Sequence, residues 1–188
     1  MCLDRIVDRY LLSSKRFGDL LAEMPAERWA WPTPCTEWTV RQLVNHMARG
    51  NLNYARLAVG GPAADFVRLR DADALGTDPV AAYADSVHEC AAAFTASDAL
   101  DRPLDYPLGT IPGRQALAIR TADATIHTWD LATAIGADTR LDPDLVTWID
   151  TCAGEIYAGL GDLRSFFAPA SGTPPTDPQA RLLWRMGR

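Results

Sequence analysis

Five stretches of the chain place apolar residues three and four positions apart, and most of them are closed by proline or glycine. A sequence built this way buries its apolar surface by packing helix against helix, because strands would need alternation instead. The first stretch, about Leu3 to Met24, puts Ile6, Val7, Tyr10, Leu11, Phe17, Leu20 and Leu21 at helical spacing and stops before Pro25. The second, Val40 to Val59, carries Val40, Leu43, Val44, Met47, Tyr54 and Ala58 and runs into Gly60-Gly61-Pro62. Thr36 or Thr39 caps it after a loop in which Pro32 and Pro34 forbid regular structure. A third helix is predicted from Val80 to Ala96, with Asp78 as cap and Pro79 in the first turn. A fourth follows Gly113 and ends near Gly136, and a fifth covers Leu145 to Ala158 behind Asp142-Pro143.

The remaining segments read as connections. Ala63 to Gly76 is a crossover or a short helix, and Pro103 to Pro112 an extended or hairpin-like loop. Pro169 to Pro178 is rich in Pro, Ser, Gly and Thr and reads as a surface loop, followed by a short amphipathic end, Ala180 to Met186, that docks back on the body. The expected architecture is all-α: one domain over residues 1–188, a four-helix bundle with a long crossover and an additional C-terminal helix.

Bulk properties narrow the partners. With 188 residues, 48% hydrophobic and 22% charged, the chain has the size and composition of one globular domain. A net charge of -6 without clustered Lys or Arg argues against nucleic acid. Asp4 and Asp8 break any secretory apolar region, and no apolar run approaches the roughly 18 residues of a membrane span, so a cytoplasmic location is expected. Cys2, Cys35, Cys90 and Cys152 stand singly, without a C-x-x-C pair, and predict neither a disulfide framework nor a cysteine zinc site; they read as mostly buried, inert thiols.

The chemistry concentrates in the fourth helix. Asp123, His127 and Asp130 fall within an arc of about 60° that also holds Ala116, Ile119 and Ala134, so three polar groups interrupt an apolar face. Burying a carboxylate and an imidazole is costly unless they pair or coordinate something. A single acid–histidine pair one turn apart is ordinarily a hydrogen-bonded couple. His46, at the edge of the second helix's stripe, changes the balance, because two imidazoles and one carboxylate from facing helices make a three-donor metal site with open positions. His88, beside the stripe of the third helix, is a candidate fourth ligand or proton shuttle, with a satisfied core histidine as the plainer reading. Trp29, Trp31, Trp38 and Trp129 line a cleft or pack at the rim of the core.

The stretch Thr33-Pro34-Cys35-Thr36-Glu37-Trp38-Thr39-Val40-Arg41-Gln42-Leu43-Val44-Asn45-His46, with Ile126-His127-Thr128-Trp129-Asp130-Leu131-Ala132 and the closing Pro178-Gln179-Ala180-Arg181-Leu182-Leu183, resembles the actinobacterial branch of the DinB-like superfamily. Within it, the chain is similar to metal-binding proteins related to the N-terminal domain of mycothiol-dependent maleylpyruvate isomerase. The resemblance implies a DinB-like bundle and maps the ligand pattern, a histidine on the second helix and an acid-x-x-x-His later, onto His46, Asp123 and His127. It departs at Asp123, where the isomerase branch carries glutamate. Asp130 is then expected beside the ligands, holding an imidazole or a nearby backbone group.

The resemblance implies one divalent transition metal, zinc first, with nickel, iron or manganese able to use the same donors. It also implies a low-molecular-weight thiol, mycothiol, as nucleophile toward a small electrophile. A metal-dependent hydrolase with Asp130 or His88 taking a proton, and a metal or small-molecule binding protein without turnover, are the alternatives. The expected quaternary state is monomer or homodimer.

Overall fold

The computed structural model describes residues 2–160 and 172–188. Among these residues, seven α-helices and one hairpin follow in the order α1 (Ile6–Glu23), α2 (Val40–Ala58), α3 (Ala63–Leu69), α4 (Pro79–Thr95), β1 (Pro103–Tyr106), β2 (Gly109–Pro112), α5 (Gly113–Ile135), α6 (Pro143–Ile156) and α7 (Pro178–Arg185). The helical bundle expected from the apolar spacing is present. α1, α2, α4 and α5 form its body, α6 lies on α5, and α7 on α6.

Local chemistry sets most boundaries. Thr39 closes a capping box with Gln42 at the start of α2, its backbone N–H donating to Gln42 Oε1 at 2.8 Å. Asp78, Asp142 and Asp177 cap α4, α6 and α7, each followed by a proline whose missing N–H costs nothing there. The crossover between α2 and α4 contains α3, and the irregular segment after α4 is a true hairpin: Leu104 faces Ile111 and both are buried. α1 starts three residues later than its apolar pattern suggests, behind Arg5 with φ of 53°. The expected loop from Pro169 to Pro178 lies partly outside the described residues.

α5 is the axis. It is buried nearly all round, unlike the one-sided α1 and α2, because it is flanked by α1, α2 and α6. Phe17, Leu43, Val44, Met47, Tyr83, Ala124 and Leu131 fill the space between α1, α2, α4 and α5. Carrying charged residues on so buried a helix is what makes its polar positions informative.

The cysteines correct the sequence expectation. Cys2 and Cys152 form a disulfide across 150 residues, with Cα atoms 5.6 Å apart, fastening the segment before α1 to α6. Trp148 Nε1 donates to the Cys2 carbonyl at 2.7 Å beside it. Nothing in cysteine spacing signals a pair this remote, since folding alone brings the two together. Cys90 is buried as expected, whereas Cys35 is half-buried at the site described below.

Candidate metal centre

The loop before α2 is pinched at its base by pairing of Pro32 with Thr39 and by Val40 N–H donating to the Trp31 carbonyl at 2.9 Å. Inside it, the Thr33 backbone N–H donates to the Trp38 carbonyl at 3.1 Å, and the Thr33 hydroxyl accepts from Cys35 N–H at the same distance. This folded turn delivers Cys35 and Trp38 to the face where α2 meets α5. Trp38 lies 4.7 Å from the His46 ring and 5.8 Å from that of His127, centroid to centroid. Trp31 is exposed instead, with the Arg28 guanidinium stacked on its ring.

His46 from α2 and Asp123 and His127 from α5 converge, as the helical arc and the edge position of His46 lead one to expect. One ligand atom from each lies within 4.8 Å of the others. His46 Nε2 is 3.4 Å from Asp123 Oδ2, and His127 Nε2 is 3.3 Å from Asp123 Oδ1. A tetrahedral ion with bonds of about 2.0–2.2 Å has donor-to-donor edges of about 3.3–3.6 Å, and each imidazole lies at such a spacing from one oxygen of the Asp123 carboxylate, His46 from Oδ2 and His127 from Oδ1. His127 is buried, whereas the side chains of His46 and Asp123 keep 28% and 27% of their surface exposed, which leaves one side of the triad open.

Behind the triad the polar groups are tightly tied. Asp130, with no exposed surface, accepts from His127 Nδ1 at 2.8 Å and from Arg188 Nε and Nη2 at 2.7 and 2.8 Å. It therefore holds the far nitrogen of an imidazole and leaves Nε2 facing the triad. Cys35 Sγ sits 3.3 Å from Asp130 Oδ2 and accepts from Arg188 Nη2 at 3.1 Å. Cys35, His127 and Asp130 thus form a second cluster of potential donors. In this cluster both Asp130 oxygens and the Cys35 sulfur are already taken up by Arg188, and His127 Nδ1 by Asp130.

His88 does not join either cluster. It lies on the exposed face of α4, so it is not a satisfied core histidine, and it stands apart from both groups of potential donors. Its position next to an apolar stripe was a poor guide because α4 has a narrow buried face, Tyr83, Ser86, Cys90 and Phe94. Residues that sequence reasoning missed are Cys35, Arg188 and Arg120. Cys35 stood in the loop motif before α2, and Arg120 lies one turn before Asp123 on the most buried helix, a signal of the same kind as the acid itself.

Charge in the triad is strongly coupled. Burial works against a charged His127, but the Asp123 carboxylate and the hydrogen bonds to Asp123 and Asp130 outweigh it, holding its pKa well above the ordinary 6.5. His46 goes the other way, lowered chiefly by burial. Asp123 resists burial through the His127 charge and the two imidazole contacts and stays well below 3.8. In the metal-free chain the raised His127 contributes stability that is full below its unfolded value near 6.5 and is lost as pH rises through its folded value. Charging His46 costs stability as pH falls below the same 6.5. Chelator-treated protein should therefore lose thermal stability from about pH 6.5 upward, while the gain in Tm on adding zinc grows over that range because zinc displaces a proton. A metal-free Tm that rises from pH 6.5 to 9 would contradict the His127–Asp123 coupling.

Fold and site together define a DinB-like helical bundle whose facing helices present an imidazole–carboxylate–imidazole triad. Residues 10–132 match the mycothiol maleylpyruvate isomerase N-terminal domain family, and the chain belongs to that family. It is similar to an uncharacterised protein of Mycobacterium tuberculosis strain ATCC 25618 / H37Rv and to one of strain CDC 1551 / Oshkosh, each 36% identical over 177 residues, 92% of this chain and 93% of theirs. Crystal structures of the mycothiol-dependent maleylpyruvate isomerase share the fold. A histidine-to-alanine mutant superposes with a TM-score of 0.66 at 15% identity, and another structure with 0.63 at 17%, each over 92% of this chain and 74% of the other. No described helix is long and apolar enough to cross a membrane.

Proposed function

We propose that this chain is a metal-dependent enzyme in which His46, Asp123 and His127 hold one divalent transition metal, zinc in the first place, and a low-molecular-weight thiol such as mycothiol is the nucleophile toward a small electrophile. The observation that carries this reading is the triad: three donors at coordination spacing, backed by fixed partners on the inside and open on the outside. An enclosed structural zinc site would have a fourth protein donor. When bound, the ion would supply a Lewis-acid position that lowers the pKa of a coordinated thiol from its ordinary value near 8.5, so that the proton leaves to solvent and the sulfur is a thiolate at neutral pH.

The chain's own residues do the rest. Asp130 fixes the tautomer of His127 by accepting from Nδ1, which leaves Nε2 with its lone pair toward the centre. Trp38 walls the centre on the side of the loop before α2, against both imidazole rings. The hydrolase alternative has weaker support. Asp130 is held by Arg188 with its pKa lowered despite burial, by hydrogen bonds from His127 and Arg188, and His88 faces solvent. Family membership favours mycothiol and an isomerase-type reaction, and a single domain acting in the cytoplasm is part of the proposal.

Cobalt-substituted protein tests the reading. Addition of mycothiol or 2-mercaptoethanol should produce a sulfur-to-cobalt charge-transfer band, and conversion of maleylpyruvate or a related electrophile should need metal and thiol together. Metal uptake with neither band nor turnover would make this a binding protein, and metal-dependent ester cleavage without a thiol would make it a hydrolase.

A further inference from the structure

Arg120 is a charged residue that the metal reading does not ask for. It lies on α5 one turn before Asp123, is 1% exposed, and has a partner for each of its three nitrogens. Nε donates to Asn51 Oδ1 at 2.8 Å, Nη2 to the Met47 carbonyl at 2.7 Å, and Nη1 to Asp123 Oδ2 at 2.5 Å. α2 makes room for it: a Cβ at Gly50 would come within 2.8 Å of Nη1.

Orienting a carboxylate does not require a buried cation, since a neutral amide or hydroxyl does it at lower desolvation cost. The full charge has a separate consequence. Asp123 is balanced by Arg120 and Asp130 by Arg188, while His46 and His127 are neutral as ligands, so the protein brings no net negative charge to a divalent cation. Zinc or cobalt held there keeps its double positive charge in a partly buried site, where neutral ligands leave it uncompensated and anions do not.

Resting on the metal reading, we propose that Arg120 is a specificity-determining residue that makes the centre select anionic small molecules, those offering a thiolate or a carboxylate, over neutral donors. It acts through Asp123 and does not touch the ligand, so it is a positioning residue whose charge matters as much as its hydrogen bonds.

The test uses cobalt-substituted full-length protein, with azide as the anionic probe and imidazole as the neutral one, both read from the visible absorption of the metal. In Arg120→Gln, azide affinity should fall at least about tenfold, a modest share of what one unit charge a few ångströms away supplies in an effective dielectric of about 20. Imidazole affinity should stay within about twofold, and Arg120→Lys should restore most of the azide affinity. Equal weakening of both probes would reduce Arg120 to a structural support and overturn the inference, as would azide binding that ignores the substitution. If Arg120→Gln takes up no cobalt, the wild-type protein decides: a ratio of azide to imidazole affinity no higher than that of aqueous cobalt(II) would overturn the inference. Wild-type protein that takes up no cobalt would instead defeat the metal reading itself.

Discussion

His127→Ala protein is expected to leave purification without a transition metal and to take up none at stoichiometric zinc, whereas wild-type protein carries about one ion per chain. The size of the effect follows from the position of this imidazole. Its Nε2 faces Asp123 at 3.3 Å while its Nδ1 is fixed by Asp130 at 2.8 Å, so removal deletes a donor and also takes one partner from each of two carboxylates. Losing a supporting partner alone costs about 10–100-fold in metal affinity, which sets the expectation for Asp130→Asn, and losing a ligand costs more. His46→Ala and Asp123→Asn should behave like His127→Ala. His88→Ala, altering a solvent-facing residue of α4, should match wild type. Competition with a chromophoric chelator ranks the five variants. Asp130→Asn losing its metal while Asp123→Asn retains it would exchange the roles assigned to the two carboxylates, and zinc uptake by His127→Ala would remove the centre from this position.

That ranking depends on what could and could not be read from the chain. The helices were legible because solvent imposes a one-sided pattern on α1 and α2, and because Asp-Pro pairs announce α4 and α6. α5 was legible for a different reason: on a helix buried from Gly113 to Ala132, every charge must be answered, so Asp123, His127 and Asp130 stood out against their apolar neighbours. The answers themselves were less visible. Arg120 is satisfied by Asn51 and the Met47 carbonyl, Asp130 by Arg188 and Cys35, and these pairings join residues 58 to 95 positions apart. Periodicity places a residue on a face of its own helix. It is silent on which distant element meets that face. The same limit explains His88, whose exposure depends on how far α4 turns from its neighbours, and it explains the disulfide between Cys2 and Cys152.

The disulfide gives the second large effect. Cross-linking Cys2 to Cys152 closes a loop of 150 residues, and in the chain-entropy account a loop this long lowers the entropy of the unfolded state by the equivalent of about 5 kcal/mol at 25 °C. For a protein of this size each kcal/mol is worth about 2–4 °C, so Cys2→Ser should lower the Tm of oxidised protein by about 10–20 °C. Cys152→Ser should do the same, and the double variant no more than either, because one bond is lost in each case. Reductant should bring wild type down to the level of the variants; in a reducing compartment the pair is two thiols and this lower stability is the working one. Cys35→Ser and Cys90→Ser should keep the sensitivity to reductant. The bond fastens the start of the chain to α6, whereas the triad stands on α2 and α5. Metal affinity measured below both transitions should therefore be unchanged in Cys2→Ser, which separates the stabilising link from the site. A variant with wild-type Tm under oxidising conditions would show that the two sulfurs do not join, and a parallel loss of metal affinity would show that α6 helps to hold α5 in register with α2.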